Sequence, residues 1–177
     1  MKESLREYSN FSKLVIPAFT DGSCLNNGQK DTYAGYAVIF PFHKDLNEHG
    51  CIPVNTNNRA EMFAIIKACQ IFEEFDKDKQ HTLKIYTDSK LCVQTFNSWM
   101  EKWKNENWQK STNGAIQNLD FVQIMYDLKM RLGDRIIVKH VFAHTKGKDF
   151  KSRWNRKADE LARLGALETK ENKFFDC

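Results

Sequence analysis

Leu83-Lys84-Ile85-Tyr86-Thr87-Asp88-Ser89 is the stretch that decides the fold. Residues 83–87 mix aliphatic, aromatic and β-branched side chains and predict a short strand. Asp88-Ser89 predicts a helix start, running to about residue 96, because both side chains accept the free N–H groups of a first turn. A strand passing straight into a helix is the unit of layered α/β proteins. The alternation recurs on either side. Strands are predicted at 14–20, 33–40, 49–54 and 136–141, and helices at 59–75, 99–106, 119–131 and 156–166. Pro17 belongs near the entry of its strand, since it cannot donate to a ladder. Asp21-Gly22-Ser23 and Asn26-Asn27-Gly28 predict a turn-rich stretch, Gly133 a helix stop, and 143–155 a basic loop.

The chain has 177 residues, 13 of them Phe, which suits one α/β domain with a substantial core. Residues 1–13 are expected to be a flexible N-terminus and 168–177 a C-terminal tail, around a domain at 14–167. Cysteines 24, 51, 69, 92 and 177 are odd in number and lack a Cys-x-x-Cys pair. They are expected to be reduced thiols of an intracellular protein, cytoplasmic or nuclear and not secreted. No run of about 18 apolar residues exists and the start Met1-Lys2-Glu3-Ser4 is polar, so neither a membrane partner nor a signal peptide is expected. Net charge is +4, but residues 139–157 alone carry +6, leaving the rest at −2. That window is either a solvated loop or a surface facing a polyanion.

Four acids sit where apolar segments begin or end: Asp21, Glu61, Asp88 and Asp159. In the helix at 59–75, Glu61, Ile65, Ala68 and Phe72 fall on one face, opposite Lys67, Gln70 and Glu74. An acid in an apolar stripe faces burial, which is costly for an unpaired charge. A helix cap would account for Asp88 and a favourable dipole for Glu61. If folding gathers all four, divalent cations are the natural compensation. Oxygen-only ligands favour Mg²⁺ or Mn²⁺ over Zn²⁺.

Five phrases in order carry a resemblance: Thr20-Asp21-Gly22-Ser23, Thr56-Asn57-Asn58-Arg59-Ala60-Glu61, Tyr86-Thr87-Asp88-Ser89, His144-Thr145, and Asn155-Arg156-Lys157-Ala158-Asp159-Glu160-Leu161-Ala162. Over most of 14–167 the chain resembles a type 1 ribonuclease H, a stand-alone catalytic domain. The resemblance implies a ribonuclease H-like α/β fold, a mixed five-stranded sheet with helices on both faces. Asp21 and Asp88 would lie at adjacent strand ends, with Glu61 and Asp159 reaching in from helices. It implies hydrolysis of the RNA strand of RNA/DNA hybrids with two Mg²⁺ ions, giving 5′-phosphate and 3′-hydroxyl ends. Asp21 would bridge both ions, Glu61 and Asp88 the nucleophile side, Asp159 the other. His144 matches the family's mobile histidine, which assists proton transfer or product departure.

For the RNA strand the resemblance implies contacts to 2′-hydroxyls from Asn27, Asn57 and Asn58. For the DNA strand it implies Trp99, Trp103 and Ser111 in a channel, and Thr56 and Asn118 on a phosphate. Trp108 is assigned to packing. Two features depart from the family. Val54 stands where an arginine often serves the phosphate pocket, and 144–159 is several residues longer. Lys146, Lys148 and Lys151 are candidate phosphate contacts in that longer segment. The partner is expected to be an RNA/DNA hybrid and the protein a monomer. A catalytically dead hybrid-binding module usually loses an acid, and all four are present here. An integrase or resolvase relative is disfavoured by the Asn57–Glu61 phrase and the Trp-rich segment. The domain of a reverse transcriptase is a nearer alternative.

Overall fold

The computed structural model describes residues 14–27, 29, 31–54, 56–110, 114–143 and 147–171. Among them run β1 (Leu14–Leu25), β2 (Tyr33–Ile39), β3 (Glu48–Ile52), α1 (Asn57–Phe75), β4 (His81–Thr87) and α2 (Lys90–Gln94). There follow α3 (Met100–Asn105), α4 (Leu119–Leu132), β5 (Ile136–His140) and α5 (Phe150–Glu171). The five strands form one mixed sheet in the order β3-β2-β1-β4-β5. β1 is antiparallel to β2 and β2 to β3, while β4 runs parallel to both β1 and β5. Helix α1 covers one face with α4 against it, and α5 lies across β1, β2 and β3 on the other. The expected mixed sheet with helices on both faces is what forms.

The apolar faces explain the layering. Ile65, Ala68 and Phe72 of α1 are fully buried, in one core with Leu83, Ile85 and Met125. Phe19, Tyr86, Ala158 and Ala162 form the smaller core beneath α5. A Cβ at Gly35 of β2 would lie 2.3 Å from backbone atoms of Ala162 and Ala166. The bare strand at that point is what lets α5 settle onto the sheet.

Three expectations fail locally. Asp21-Gly22-Ser23 is strand, since β1 continues to Leu25 with Gly22 opposite Tyr36 and Ser23 opposite Gly35. Antiparallel pairing outweighs the turn propensity of those residues. The last helix starts at Phe150 and reaches Glu171, where 156–166 was expected, so Lys151 lies on a helix. Asp149 explains the early start: Oδ1 accepts the Ser152 N–H at 3.1 Å and Oδ2 the Ser152 hydroxyl at 2.6 Å. Finally, Cys51 is disulfide-bonded, whereas Cys24, Cys69 and Cys92 are free. Pro17 agrees with its placement, because β1 there pairs with β4 alone and β2 joins at Phe19.

Asp76 ties the far end of the sheet. Its carboxylate accepts Arg135 Nη1 at 2.6 Å, His81 Nδ1 at 2.7 Å, and the backbone N–H groups of Gln80 and His81 at 3.1 Å. Burial pushes the Asp76 carboxyl up, but the His81 ring and the backbone N–H groups of His81 and Gln80 outweigh it and hold it below the ordinary carboxylate range. Asp76→Ala strands the buried Arg135 and is expected to destabilise by about 3–5 kcal/mol. A lowered carboxyl contributes stability above the unfolded value and loses it as pH falls through the folded one. The drop in Tm should therefore be large at pH 7 and shrink below the carboxylate range, as calorimetry across pH would show.

Candidate active site

β1 outruns its parallel neighbour. Phe19 pairs with Tyr86, β4 ends at Thr87, and the same register carried forward sets Asp21 opposite Asp88. Asp21 thus lies in mid-strand, held by Ala37 of β2 on one side, and is not at a strand end as expected. Its other side is open to Asp88, where β4 gives way to α2.

Gly22 brings in the third acid. A Cβ there would lie 2.2 Å from both Ala60 C and Glu61 N, so β1 and the first turn of α1 touch backbone to backbone. That contact sets Glu61 beside Asp21. Asp21 is 5% exposed and Glu61 6%, and carboxylate oxygens of Asp21, Glu61 and Asp88 lie within 4.8 Å of one another. Asp159 is half-buried on α5 and stands outside that triplet, although its charge reaches Asp21.

The cap on α2 answers whether Asp88 is merely structural. Ser89 is the N-cap, its hydroxyl accepting the Cys92 N–H at 3.3 Å. Asp88 is free of that task, and its Oδ2 instead accepts Asn155 Nδ2 at 3.1 Å. His140 Nε2 lies 3.2 Å from the Asp88 carbonyl oxygen. Asn155 is 3% exposed, and no hydrogen bond from the described residues reaches its Oδ1. Neither Asn155 nor His140 had an assigned role in the sequence. Asn155 precedes Asp159 by one helical turn and shares its face, a spacing hidden when the helix was started at Arg156.

The electrostatics point to a cation. Burial raises the Asp21 carboxyl well above the ordinary range, and Asp88 and Asp159 push it further. Glu61 is raised likewise, by burial first and then by Asp21 and Asp88; the Gly22 N–H pulls both the other way. Glu61 Oε2 is buried with no hydrogen-bond partner among the described residues. Oxygen donors at this spacing, with an orphaned buried oxygen, fit a hard divalent ion. A raised carboxyl favours folding below its unfolded value, and that contribution is lost as pH rises through the folded one. In chelator, Tm should therefore fall as pH climbs above the carboxylate range. Added Mg²⁺ or Mn²⁺ should raise Tm more at pH 8 than at pH 5, a difference that thermal melts would detect.

A groove continues from the acids. Asn27, Thr56, Asn57, Asn58, Gln117 and Asn118 share one depression. Asn57 is fixed there: its Oδ1 accepts the Cys24 N–H at 3.2 Å and its Nδ2 donates to Glu61 at 3.5 Å. Asn27 Oδ1 accepts the Asn57 N–H at 3.0 Å, while Asn58 is exposed. Thr56 caps α1 by accepting the Arg59 N–H, and Arg59 pairs with Asp120 at 2.6 Å, joining α1 to α4. Beside this depression Trp99, Trp103, Lys102, Lys110 and Asn118 line a second hollow. The two rings stand 5.8 Å apart on a π-turn at Thr95–Trp99 and on α3. Trp108 packs edge-on to Tyr126 at 5.5 Å. Val54 packs half-buried against the core. His144, Ser111 and Lys146 lie outside the described residues.

Comparison with known proteins agrees with this geometry. The family profile described as RNase H matches residues 14–167. The chain belongs to the RNase H family. A ribonuclease H of Rickettsia canadensis is 34% identical over 157 residues, covering 88% of this chain and 90% of that protein. A ribonuclease H of Schizosaccharomyces pombe is 33% identical over 155 residues, 85% of this chain but 52% of that protein. Among solved structures, the RNase H domain of PFV has a TM-score of 0.70 at 19% identity, covering 86% of this chain and 94% of that one. LC9-RNase H1, a type 1 RNase H, has a TM-score of 0.68 at 23% identity, with 90% and 75% covered. At those identities the structures show the RNase H fold; the sequence relatives make this chain a ribonuclease H enzyme. No helix among the described residues is long and apolar enough to cross a membrane.

Proposed function

We propose that this chain hydrolyses the RNA strand of RNA/DNA hybrids, with Asp21, Glu61, Asp88 and Asp159 holding two divalent cations. The observation that carries the reading is the triplet of carboxylates within 4.8 Å, two of them buried and pushed towards protonation. Mg²⁺ is the expected ion, with Mn²⁺ as a substitute. Two such ions would supply Lewis-acid activation of water and charge neutralisation of the leaving oxygen, which would give 5′-phosphate and 3′-hydroxyl ends. The protein's own part is to hold the acids: Gly22 seats Glu61, Ser89 frees Asp88, and Asn155 orients it. His144 is proposed to assist proton transfer or product departure.

The groove supports a hybrid as the substrate. Asn57 and Asn58, with Asn27, line one depression and would read 2′-hydroxyls next to Glu61. Thr56 and Asn118 would take a DNA phosphate, and Trp99 and Trp103 would stack on the DNA strand with Ser111 nearby. Lys146, Lys148 and Lys151 would add phosphate contacts. A structure of the foamy viral protease–reverse transcriptase bound to an RNA/DNA hybrid has a TM-score of 0.70 at 17% identity, covering 88% of this chain and 20% of that one. Labelled hybrid, double-stranded RNA and duplex DNA, each with and without Mg²⁺, form the test. Only the hybrid with Mg²⁺ should be cut, in its RNA strand; cutting of double-stranded RNA, or cutting in chelator, would refute the reading.

A further inference from the structure

The cations of α1 and α4 are matched to acids: Arg59 to Asp120, Lys67 to Glu48, Lys129 to Glu101 and Arg131 to Glu73. The start of α5 and the residues just before it are built differently. Lys148, Lys151, Arg153 and Arg156 are all exposed, and no acid among the described residues pairs with them. Lys157 is set apart from this group, because Glu160 meets it at 3.7 Å. Arg153, Trp154, Arg156, Lys157 and Glu160 share one depression, with the Arg153 guanidinium 5.7 Å from the Trp154 ring centre. Crowding unpaired like charges on one surface is unfavourable unless a polyanion neutralises them.

Position supplies the second half of the argument. Asn155, which holds Asp88, and Asp159, which acts on Asp21, face inward on the same turn of α5 that carries Arg156 outward. One turn rises only about 5.4 Å, so the cationic surface begins within one helix diameter of the acids. It lies on α5, on the opposite face of the sheet from α1 and α4, whose residues line the groove. We propose that Arg153 and Arg156, flanked by the Trp154 ring, form a second phosphate-binding surface outside the groove. It engages duplex that continues past the segment seated on the acids. The inference rests on the hybrid-cleaving reading for the identity of the nucleic acid, and it makes the grip on substrate depend on substrate length.

Binding, not cleavage, tests it. In an Asp88→Asn background with Mg²⁺, anisotropy would compare a hybrid of about 10 base pairs with one of about 24, over a salt series. The background protein should prefer the long hybrid by roughly tenfold. Arg153→Gln with Arg156→Gln should reduce that preference to within about twofold and lower the salt slope on the long hybrid by about 2, one unit per phosphate contact. Gln is a good helix former and both sites are exposed, so folding is preserved. A control removing equal charge elsewhere, Lys44→Gln with Lys170→Gln, should keep the preference. No length preference in the background protein, its survival in the arginine variant, or its equal loss in the control would overturn the proposal. So would an acidic peptide that binds this face while the long hybrid does not. Failure of the hybrid-cleaving reading would appear separately, as a wild-type protein that binds hybrid without cutting it.

Discussion

Asp88→Asn is expected to slow hybrid cleavage by a thousandfold or more, on the order of 4 kcal/mol of transition-state stabilisation. The substitution keeps size and shape. Asn155 Nδ2 still has an amide oxygen to donate to, and the cap on α2 belongs to Ser89 and is untouched. What disappears is one negative charge from the triplet. The same charge is among those that push Asp21 and Glu61 towards protonation, so metal-free Tm should stay level or rise. A side chain that only held the fold would show the reverse pattern, with lower Tm and cleavage intact. Single-turnover cleavage and melts in chelator separate the two, and a wild-type rate would remove Asp88 from the site.

Gly22→Ala should do damage of another kind. The added methyl would meet the backbone of Ala60 and Glu61, which cannot swing aside as a side-chain tip can. Overpacking of this sort destabilises by about 3 kcal/mol or more, lowering Tm on the order of 10 °C in a chain this long. The strand and helix must part to make room, and Glu61 moves with its helix. Activity should therefore be lost well below the new Tm, with metal-induced stabilisation reduced in parallel. A variant that melts early but cleaves normally when cold would show that the contact serves stability alone.

Much of this was legible in the sequence, because hydrophobic period and the order of elements are local properties. The face of α1 bearing Glu61, Ile65, Ala68 and Phe72 could be read directly, and all four are buried. What stayed hidden depends on partners distant in the chain. Asp21-Gly22-Ser23 has turn-forming residues, and only pairing with β2 makes it strand. The start of α5 was obscured by the polar composition of 146–153, although Asp149 and Ser152 stand three apart as a cap requires. Setting that start six residues late concealed the alignment of Asn155 with Asp159. It also gave Lys151 and Arg153 to a loop, when a helix presents them. The disulfide at Cys51 had no signature in residue spacing.

The difference in length between β1 and β4 sets a rule for which insertions the chain tolerates. Asp21 and Asp88 face each other only because both strands keep step from Leu14 opposite His81 to Phe19 opposite Tyr86. One residue added anywhere between His81 and Asp88 would shift that step and turn each following side chain to the other face of the sheet. The described residues between α3 and α4 carry no strand and no register. Length variation across natural sequences of this kind should therefore gather after Asn105 and be excluded from the seven residues of β4.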